Sequence, residues 1–280
     1  MNNQQAAQIR PMVVIPIYTL NFSEVEILAL RRTLQVLAAH DVAFVKPQSL
    51  DVSNLPHLLG LPQSWTIESF PDYFFAGRKG YNRLMMSADL YERFLEWDYM
   101  LVVQADVLIF DDQLMDWCLR GYDYVGAPWL PDARAVTGFY PLHRLAWGAR
   151  KAWAKISGGF HTTNLKYHVG NGGFSLRRIA TMHDIATKHR DDIERILTEK
   201  KGPEGFEDVF WSVTAPKLAQ GNYAVAPWRE ALLFSVESHP DLAMRYTQGQ
   251  LPFGTHAFGR RRNQREWRHW TDINAILRKD

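Results

Sequence analysis

The sequence predicts an α/β fold with a mostly parallel central sheet flanked by helices. Two short apolar runs, residues 12–18 and Tyr99–Val103, are typical of strands buried on both faces of such a sheet. Amphipathic helical patterns separate the apolar runs, as in βαβ units. The 280 residues include 46% hydrophobic residues, 22% charged residues and one cysteine, which is the composition of a globular protein without an internal disulfide.

The first βαβ unit is expected near the start of the chain. Its strands are residues 12–18 and 42–45. Between them, Ser23 and Glu26 have the spacing of a capping box at a helix N-terminus. Apolar residues then recur at helical spacing as far as Leu37. A helix between two strands at this separation predicts that the strands pair in parallel.

Later patterns predict the remaining elements. Residues 130–168 have no regular pattern, which is typical of a long functional loop. The predicted elements are a strand at 65–70, a helix from 77 to about 96, a helix at 113–119, two helices across 178–200, a strand at 223–226 and a helix near 230–236.

Missing motifs exclude several functional classes. The chain has no P-loop, no GxGxxG after its first strand, no HExxH, no paired-cysteine zinc pattern and no GxSxG. The polar start has no signal-peptide pattern, and no apolar run has the length of a membrane span, so we expect a cytoplasmic protein. A net charge of +2 does not indicate a nucleic-acid partner.

Asp106 follows the apolar run Tyr99–Val103 in the tripeptide Gln104-Ala105-Asp106. A buried carboxylate needs a partner, and open α/β sheets bind ligands at the carboxyl ends of their strands. Asp106 is therefore expected either to face a metal-bound diphosphate or to cap the turn that follows. These residues alone leave both interpretations open.

Two other stretches, one before Asp106 and one after it, also allow a functional and a structural interpretation. At the start of the helix predicted from residue 77, Lys79, Asn82 and Arg83 either contact phosphate or form a solvated first turn. In residues 168–177, HVGNGGFSLR, the glycines either let the backbone approach a ligand or form a bulge or tight hairpin. Both stretches remain candidates for ligand contacts.

The last candidates lie in the C-terminal third. Glu207 and Asp208 are placed in the first turn of a predicted helix, with both carboxylates pointing away from its buried face. They either stabilise that turn through the helix dipole or form a sugar site with Trp211. His256 lies between glycines in a predicted loop, where it is either a surface residue or a ligand for an ion such as Mn²⁺.

Five stretches taken together resemble the nucleotide-sugar glycosyltransferases of the glycosyltransferase-A type: QADVLIF (104–110), DYVGAPW (123–129), VGNGGFSLR (169–177), EDVFW (207–211) and FGTHAFG (253–259). Their order and spacing look closest to a poorly characterised family of that superfamily, known mainly as a domain of unknown function. The resemblance implies a single glycosyltransferase-A-like domain. Residues of about 12–126 would bind the nucleotide sugar, about 127–259 would bind the acceptor and carry catalysis, and 260–280 would form a basic tail.

The resemblance also implies a donor site with a divalent metal, Mn²⁺ or Mg²⁺, and a nucleotide-diphosphate sugar, for which a UDP-sugar is expected. In such enzymes an Asp-x-Asp motif holds the metal, and here only the last carboxylate of that motif, Asp106, is present. His256 matches a late histidine that completes the metal site in many relatives. The expected donor-site residues are Pro16, Ile17, Tyr18, Lys79, Asn82, Arg83, Gln104, Ala105 and Asp106.

Catalysis is expected to be inverting, because Asp208 matches the carboxylate that serves as general base in inverting members. The acceptor would be a hydroxyl of a carbohydrate or glycan, lipid-linked acceptors included. The expected contacts to the donor sugar and acceptor are Trp129, Asn171, Gly172, Gly173, Glu207 and Trp211.

Three alternatives stay open at this point. The chain could be a non-catalytic sugar-binding module in which Gln104 records the loss of metal, or a metal-dependent nucleotidyltransferase. The arginines of residues 260–268 form either a solvated helix face or a surface for an acidic acceptor or the inner face of a membrane, whereas no nucleic-acid partner is expected.

Overall fold

Eleven strands are present in the part of the chain that the structure describes. This computed structural model describes residues 9–60, 65–131, 165–200 and 202–278, with four further positions at 145, 148, 149 and 152. The strands are β1 (Pro11–Pro16), β2 (Asp41–Pro47), β3 (Thr66–Phe70), β4 (Tyr99–Val103), β5 (Val107–Ile109), β6 (Tyr124–Val125), β7 (Ala127–Pro128), β8 (Val169–Gly170), β9 (Phe174–Arg178), β10 (Ser235–Val236) and β11 (Gly254–His256).

Helices follow most of these strands. They are α1 (Glu24–Val36), α2 (Leu55–Leu59), α3 (Gly77–Met85), α4 (Ala88–Glu92), α5 (Leu114–Leu119), α6 (Ile179–Lys188), α7 (Arg190–Glu199), α8 (Glu207–Val209), α9 (Ala215–Leu218), α10 (Trp228–Ala231), α11 (Pro240–Tyr246), α12 (Arg261–Trp267) and α13 (Ile273–Leu277). A π-helical turn, Phe210–Thr214, joins α8 to α9. None of the described helices is both long and apolar enough to cross a membrane.

The central sheet has six strands in the order β3-β2-β1-β4-β9-β6. Strands β3, β2, β1 and β4 are parallel, whereas β9 runs antiparallel to both β4 and β6. The predicted α/β fold with a mostly parallel sheet is confirmed. Because Val103 pairs with Phe174, the glycine-rich segment before β9 lies at the carboxyl end of β4.

Apolar side chains cover both faces of this sheet. Alternate residues of β1 pack into two different cores, with Val13 and Ile15 on one face and Met12 and Val14 on the other. Successive side chains of a strand point to opposite faces, so a strand buried on both sides is apolar throughout. This is why β1 and β4 are uninterrupted apolar runs in the sequence.

The predicted capping box is present at the start of α1. Ser23 Oγ accepts from the Glu26 backbone N–H at 3.3 Å, and Glu26 Oε2 accepts from the Ser23 N–H at 2.8 Å. The buried face of α1 includes Ala29 and Leu30. The first βαβ unit is therefore built as its sequence indicates, and the end of β1 is fixed against β2.

Two smaller sheets attach to the carboxyl end of the central sheet. In the order β10-β11-β5, β11 pairs antiparallel with β5 and places His256 opposite Val107. The second small sheet joins β7 to β8. The pairing of β11 with β5 therefore brings His256, from late in the chain, opposite Val107, which is next to Asp106.

Four secondary-structure predictions differ from the structure. His256 is predicted to lie in a loop, but it is the last residue of β11 and pairs with Val107 of β5. The helix predicted from 77 to about 96 breaks after Met85, because Ser87 accepts from the Leu90 N–H and begins α4. The helix predicted near 230–236 is the shorter α10 followed by β10. The strand predicted at 223–226 is a single bridge between Val225 and Tyr124. In each case tertiary pairing or capping overrides a local pattern. Most of residues 130–168, the stretch without a regular pattern, lie outside the described ranges.

Candidate active site

Three segments meet at the carboxyl end of β4. The Gln104 N–H donates to the Gly173 carbonyl at 2.9 Å, which joins the end of β4 to the glycine-rich loop. The Ala257 N–H donates to the Asp106 carbonyl at 3.0 Å, which joins the same turn to the residue after β11. Ligands of open α/β sheets bind at this edge, so this junction is the natural candidate for a functional site.

His256 lies between two carboxylates. Its Nε2 is 3.1 Å from Asp106 Oδ1, and its Nδ1 is 3.5 Å from Glu237 Oε1. Arg260 approaches from the other side, with Nη1 3.9 Å from Glu237 Oε1. Because the His256 side chain is only 11% exposed while Asp106 is 44% exposed, Asp106 forms the open side of this cluster.

These neighbours change the protonation of the cluster. Burial acts to lower the pKa of His256, but the Asp106 and Glu237 carboxylates outweigh it and raise that pKa to about 9. Burial acts in the opposite direction on Asp106, and His256 nevertheless holds the pKa of Asp106 below its usual value. Near neutral pH the His256 ring is therefore a protonated imidazolium between two ionised carboxylates.

Gly173 leaves a small space in front of these groups. A Cβ built at Gly173 would lie 2.5 Å from His256 Nε2 and 2.7 Å from Gln104 Oε1. The phenols of Tyr18, two residues after β1, and of Tyr81 in α3 lie near the Gln104 side chain. Only glycine at position 173 therefore leaves the space between Gln104 Oε1 and His256 Nε2, beside Asp106, unfilled.

The oxygen and nitrogen atoms around this space fit a divalent cation that takes only part of its coordination shell from the protein. Among the described residues, no three His, Cys, Asp or Glu side chains are arranged to hold a metal ion. Asp106 and His256 would be its protein ligands, with Gln104 Oε1 beside them. The remaining positions would be filled by phosphate oxygens and water, as is usual for Mg²⁺.

Asp208 is tied to this junction through Asn171. The Asn171 N–H donates to Asp208 Oδ2 at 3.1 Å, and Asn171 Oδ1 accepts from the Gly173 N–H at 3.1 Å. Asn171 has a φ of 70° and is only 3% exposed. Its Nδ2 is buried and makes no hydrogen bond within the described residues. Asn171 thus links Asp208 to the Gly173 backbone and leaves one amide donor buried without a partner among the described residues.

Burial raises the pKa of Asp208, although the hydrogen bond from the Asn171 N–H acts to lower it. Glu237 also raises the Asp208 pKa through its negative charge, so the two carboxylates share one electrostatic environment. A carboxylate with a raised pKa accepts a proton more readily than an exposed one. Asp208 can therefore take up a proton at a higher pH than an exposed aspartate.

Glu207 is buried beneath the same loop. Its Oε2 accepts from Arg177 Nη2 at 2.8 Å, and both side chains are almost fully buried. Burial raises the pKa of Glu207 to about 7, against the opposing effect of Arg177. A Cβ built at Gly172 would lie 1.4 Å from Glu207 Oε1. The prediction that both carboxylates point away from the buried face is wrong for Glu207, which supports the loop from below.

The other predicted donor-site residues lie in different surroundings. Pro16 and Ile17 are buried at the end of β1, and the Tyr18 ring after them is 41% exposed. Lys79 is exposed, whereas Asn82 donates to the Gly205 carbonyl and Arg83 pairs with Glu194. Asn82 and Arg83 are thus engaged within the protein, and we leave both out of the proposed site.

The two predicted tryptophans also differ. Trp129 is half-buried, and a Cβ built at Gly170 would lie 1.8 Å from its ring. Trp211 is fully buried, and its Nε1 donates to the Met85 carbonyl at 2.9 Å. Trp211 has no ring face open to a ligand, so only Trp129 is retained as a wall of the site.

Sequence reasoning missed Glu237, Arg177 and Tyr81. Glu237 has no motif around it, since it reaches the site only because β10 pairs with β11. Arg177 had a signal, because an arginine in the middle of a buried strand such as β9 needs a buried partner. Tyr81 lies in the helix predicted from residue 77 and belongs to no motif, although its hydroxyl donates to the Gly172 carbonyl at 3.3 Å.

Comparison with solved structures identifies the class of fold. A galactosyltransferase, LgtC, solved with donor and acceptor sugar analogs, has a TM-score of 0.53 and 13% identity, covering 94% of this chain and 97% of that chain. Mouse xyloside xylosyltransferase 1 has a TM-score of 0.52 and 9% identity, covering 89% and 97%. The fold is that of the glycosyltransferase-A-type enzymes, which confirms the resemblance seen in the sequence. At these identities the likeness establishes the fold alone.

The family is defined by a second match. Residues 64–256 match the family described as "Protein of unknown function (DUF5672)", and the chain belongs to that family. The matched range contains the end of β4, the glycine-rich loop, α8 and His256. No curated protein matches the sequence.

Proposed function

We propose that this protein transfers a sugar from a nucleotide-diphosphate sugar, with a UDP-sugar expected, to a hydroxyl group of a carbohydrate or glycan. One observation carries the proposal: Asp106, His256 and Asp208 are joined through the loop of Asn171 and Gly173. This arrangement offers a place for a charged leaving group next to a place for a reacting hydroxyl. The glycosyltransferase-A-type fold supports the same reaction class.

The donor half of the proposed site is the end of β1 and β4. Tyr18 presents a partly exposed ring for the nucleobase and ribose, next to Pro16 and Ile17. Burial and the negative charges of Glu207 and Asp106 raise the pKa of Tyr18, which keeps its phenol neutral. Asp106 and His256 would hold a divalent ion, Mn²⁺ or Mg²⁺. That ion, when bound, neutralises charge on the leaving diphosphate as a Lewis acid.

The acceptor half is the glycine-rich loop and α8. Asp208 takes the proton of the attacking hydroxyl as general base, and the sugar is transferred with inversion. Asn171 orients Asp208, because its N–H donates to Asp208 Oδ2 at 3.1 Å. The Trp129 ring and the backbone of Gly172 and Gly173 restrict the orientation of the two sugars. A metal-dependent nucleotidyltransferase would not need a base at the position of Asp208.

Ligand-induced stabilisation tests the donor site. We expect one nucleoside diphosphate, or its sugar, to raise the melting temperature in a screen with and without Mn²⁺, because a ligand that binds only the folded state stabilises it. The Mn²⁺-dependent part of the shift should disappear in Asp106→Ala and persist in Asp116→Ala, which changes an exposed aspartate of α5. If no nucleotide shifts the melting temperature, the proposal is contradicted. If the shift is the same with and without Mn²⁺, the metal is not part of the donor site.

We further propose a cytoplasmic protein that associates with the inner face of a membrane through α12, where a lipid-linked acceptor would be met. Arg261, Arg265 and Arg268 recur four and three residues apart, which places them on one exposed side of α12. None of the three forms an ion pair with a described residue. Unpaired arginines on one face attract anionic headgroups, at about 1 kcal/mol for each residue near the surface.

Vesicle co-sedimentation tests this surface. The protein should bind vesicles that contain anionic lipid and lose most of that binding when Arg261, Arg265 and Arg268 are all changed to Gln. A control triple variant, with Lys188, Arg190 and Lys217 changed to Gln, removes the same charge from other exposed positions. If both triple variants lose vesicle binding equally, net charge explains the binding, and α12 is not a dedicated membrane surface.

A further inference from the structure

Glu237 faces the nitrogen of His256 that is turned away from Asp106. The His256 Nε2 is 3.1 Å from Asp106 Oδ1, and the His256 Nδ1 is 3.5 Å from Glu237 Oε1. The Nδ1 atom is buried and makes no aligned hydrogen bond within the described residues. The imidazole thus has one carboxylate on each side. Asp106 comes after β4, and Glu237 comes after β10.

The backbone of Glu237 is fixed from three directions. Glu237 follows β10, whose Val236 pairs with Thr255 of β11, so Glu237 continues in register beside His256. The Thr255 hydroxyl donates to the Val236 carbonyl at 2.6 Å, and Asn263 Nδ2 donates to the Glu237 carbonyl at 2.7 Å. A short movement of the Glu237 side chain is therefore enough to bring Oε1 within hydrogen-bond distance of Nδ1.

We propose that Glu237 is a positioning residue: it holds the His256 ring so that Nε2 points to Asp106 and the donor diphosphate. This inference rests on the proposed function. A carboxylate that accepts from one ring nitrogen of a histidine fixes the ring orientation and leaves the other nitrogen as the ligand. Gly173 packs against the Nε2 side, so a rotated ring would lose this space. Arg260 Nη1 lies 3.9 Å from Glu237 Oε1, and its charge favours the ionised form of that carboxyl.

The proposal predicts a loss of metal affinity without loss of the fold. In Glu237→Gln and Glu237→Ala, the affinity for Mn²⁺ in the presence of the nucleotide found above should fall by about 10- to 100-fold. Titration of free Mn²⁺ by electron paramagnetic resonance measures this affinity. Glu237→Asp should retain part of it, because a carboxylate remains on the same side of the ring.

Asp112→Asn is the matched control. Asp112 pairs with His40 at 2.8 Å, so this change also removes a carboxylate from a largely buried histidine, but on another part of the surface. It should leave Mn²⁺ affinity unchanged. Wild-type affinity in both Glu237→Gln and Glu237→Ala would overturn the proposal, since a merely structural role lowers the melting temperature without changing metal affinity.

A second readout separates this proposal from the proposed function. Long-range ¹H–¹⁵N spectra of the histidine rings report whether each nitrogen of His256 is protonated and whether one ring state is populated. We expect one state in the wild type and a mixture in Glu237→Ala. If the wild type binds no Mn²⁺ but its ring spectrum depends on Glu237, the metal assignment fails and the positioning role stands. A ring spectrum unchanged in Glu237→Ala would overturn the positioning role.

Discussion

Asp208→Asn should lower the rate of sugar transfer by about 10²- to 10⁴-fold, which is the usual contribution of a general base. The amide cannot take the proton of the acceptor hydroxyl, but it keeps the size of the side chain and an oxygen that can accept from the Asn171 N–H. Donor binding, measured by the nucleotide-induced shift in melting temperature, should therefore stay unchanged.

The pH dependence provides an independent check on Asp208. Burial raises the pKa of Asp208, so the base is lost to protonation at a higher pH than an exposed aspartate would be. The rate in the wild type should therefore fall as the pH drops through this raised pKa, and the residual rate of Asp208→Asn should lack that step. The transferred sugar should have the inverted anomeric configuration by NMR.

Asp191→Asn is the control for this prediction. Asp191 is an exposed carboxylate in the first turn of α7, so the change alters a helix start without touching the site. It should transfer sugar at the wild-type rate. A wild-type rate in Asp208→Asn, or a product with retained configuration, would contradict the role of Asp208 as base.

Removing one member of the Arg177–Glu207 pair should have the largest effect on stability. Arg177 is fully buried, and its guanidinium also contacts Ser175 and Tyr91. Glu207→Ala leaves this charge buried without its carboxylate, and breaking a buried pair in this way typically costs about 3–5 kcal/mol. We expect a loss of that size in the free energy of unfolding, measured by urea denaturation.

Two further variants test the origin of that loss. The double variant Arg177→Met/Glu207→Leu removes both charges and should lose less than the sum of the two single variants, because no unpaired charge remains. Arg120 and Glu230 form an exposed pair, so Glu230→Ala should cost only about 0–1 kcal/mol. An equal cost for Glu207→Ala and Glu230→Ala would show that burial of the Arg177 pair has no special effect on stability.

Much of the fold could be predicted because local and tertiary requirements agree. Strands β1 and β4 are buried on both faces, so their sequences are apolar without interruption. The capping box at Ser23 defines the start of α1 without any tertiary contact. Asp106 and Asn171 could be predicted as candidate site residues, because packing of a core requires neither a carboxylate after a buried strand nor an Asn-Gly-Gly loop.

The remaining features depend on contacts between distant segments. Glu237 reaches His256 only through the pairing of β10 with β11, which no local pattern encodes. Trp211 looks like an exposed aromatic beside Asp208, but the π-helical turn after α8 rotates it into the core, where it contacts Tyr91. Glu207 is buried because Arg177, from β9, needs a counter-charge.

The pairing of β7 with β8 has a consequence for how this family can diversify. The chain leaves the sheet after Trp129 and returns at Tyr167, and the two points are held together by hydrogen bonds of 2.9 Å (Trp129 N–H to the His168 carbonyl) and 3.0 Å (Tyr167 N–H to the Trp129 carbonyl). With its ends already closed, the intervening segment can change in length at an entropic cost of only about 0.6 kcal/mol for each doubling. We expect changes in the length of this segment to leave the end of β4 and the backbone pairing of β9 in place.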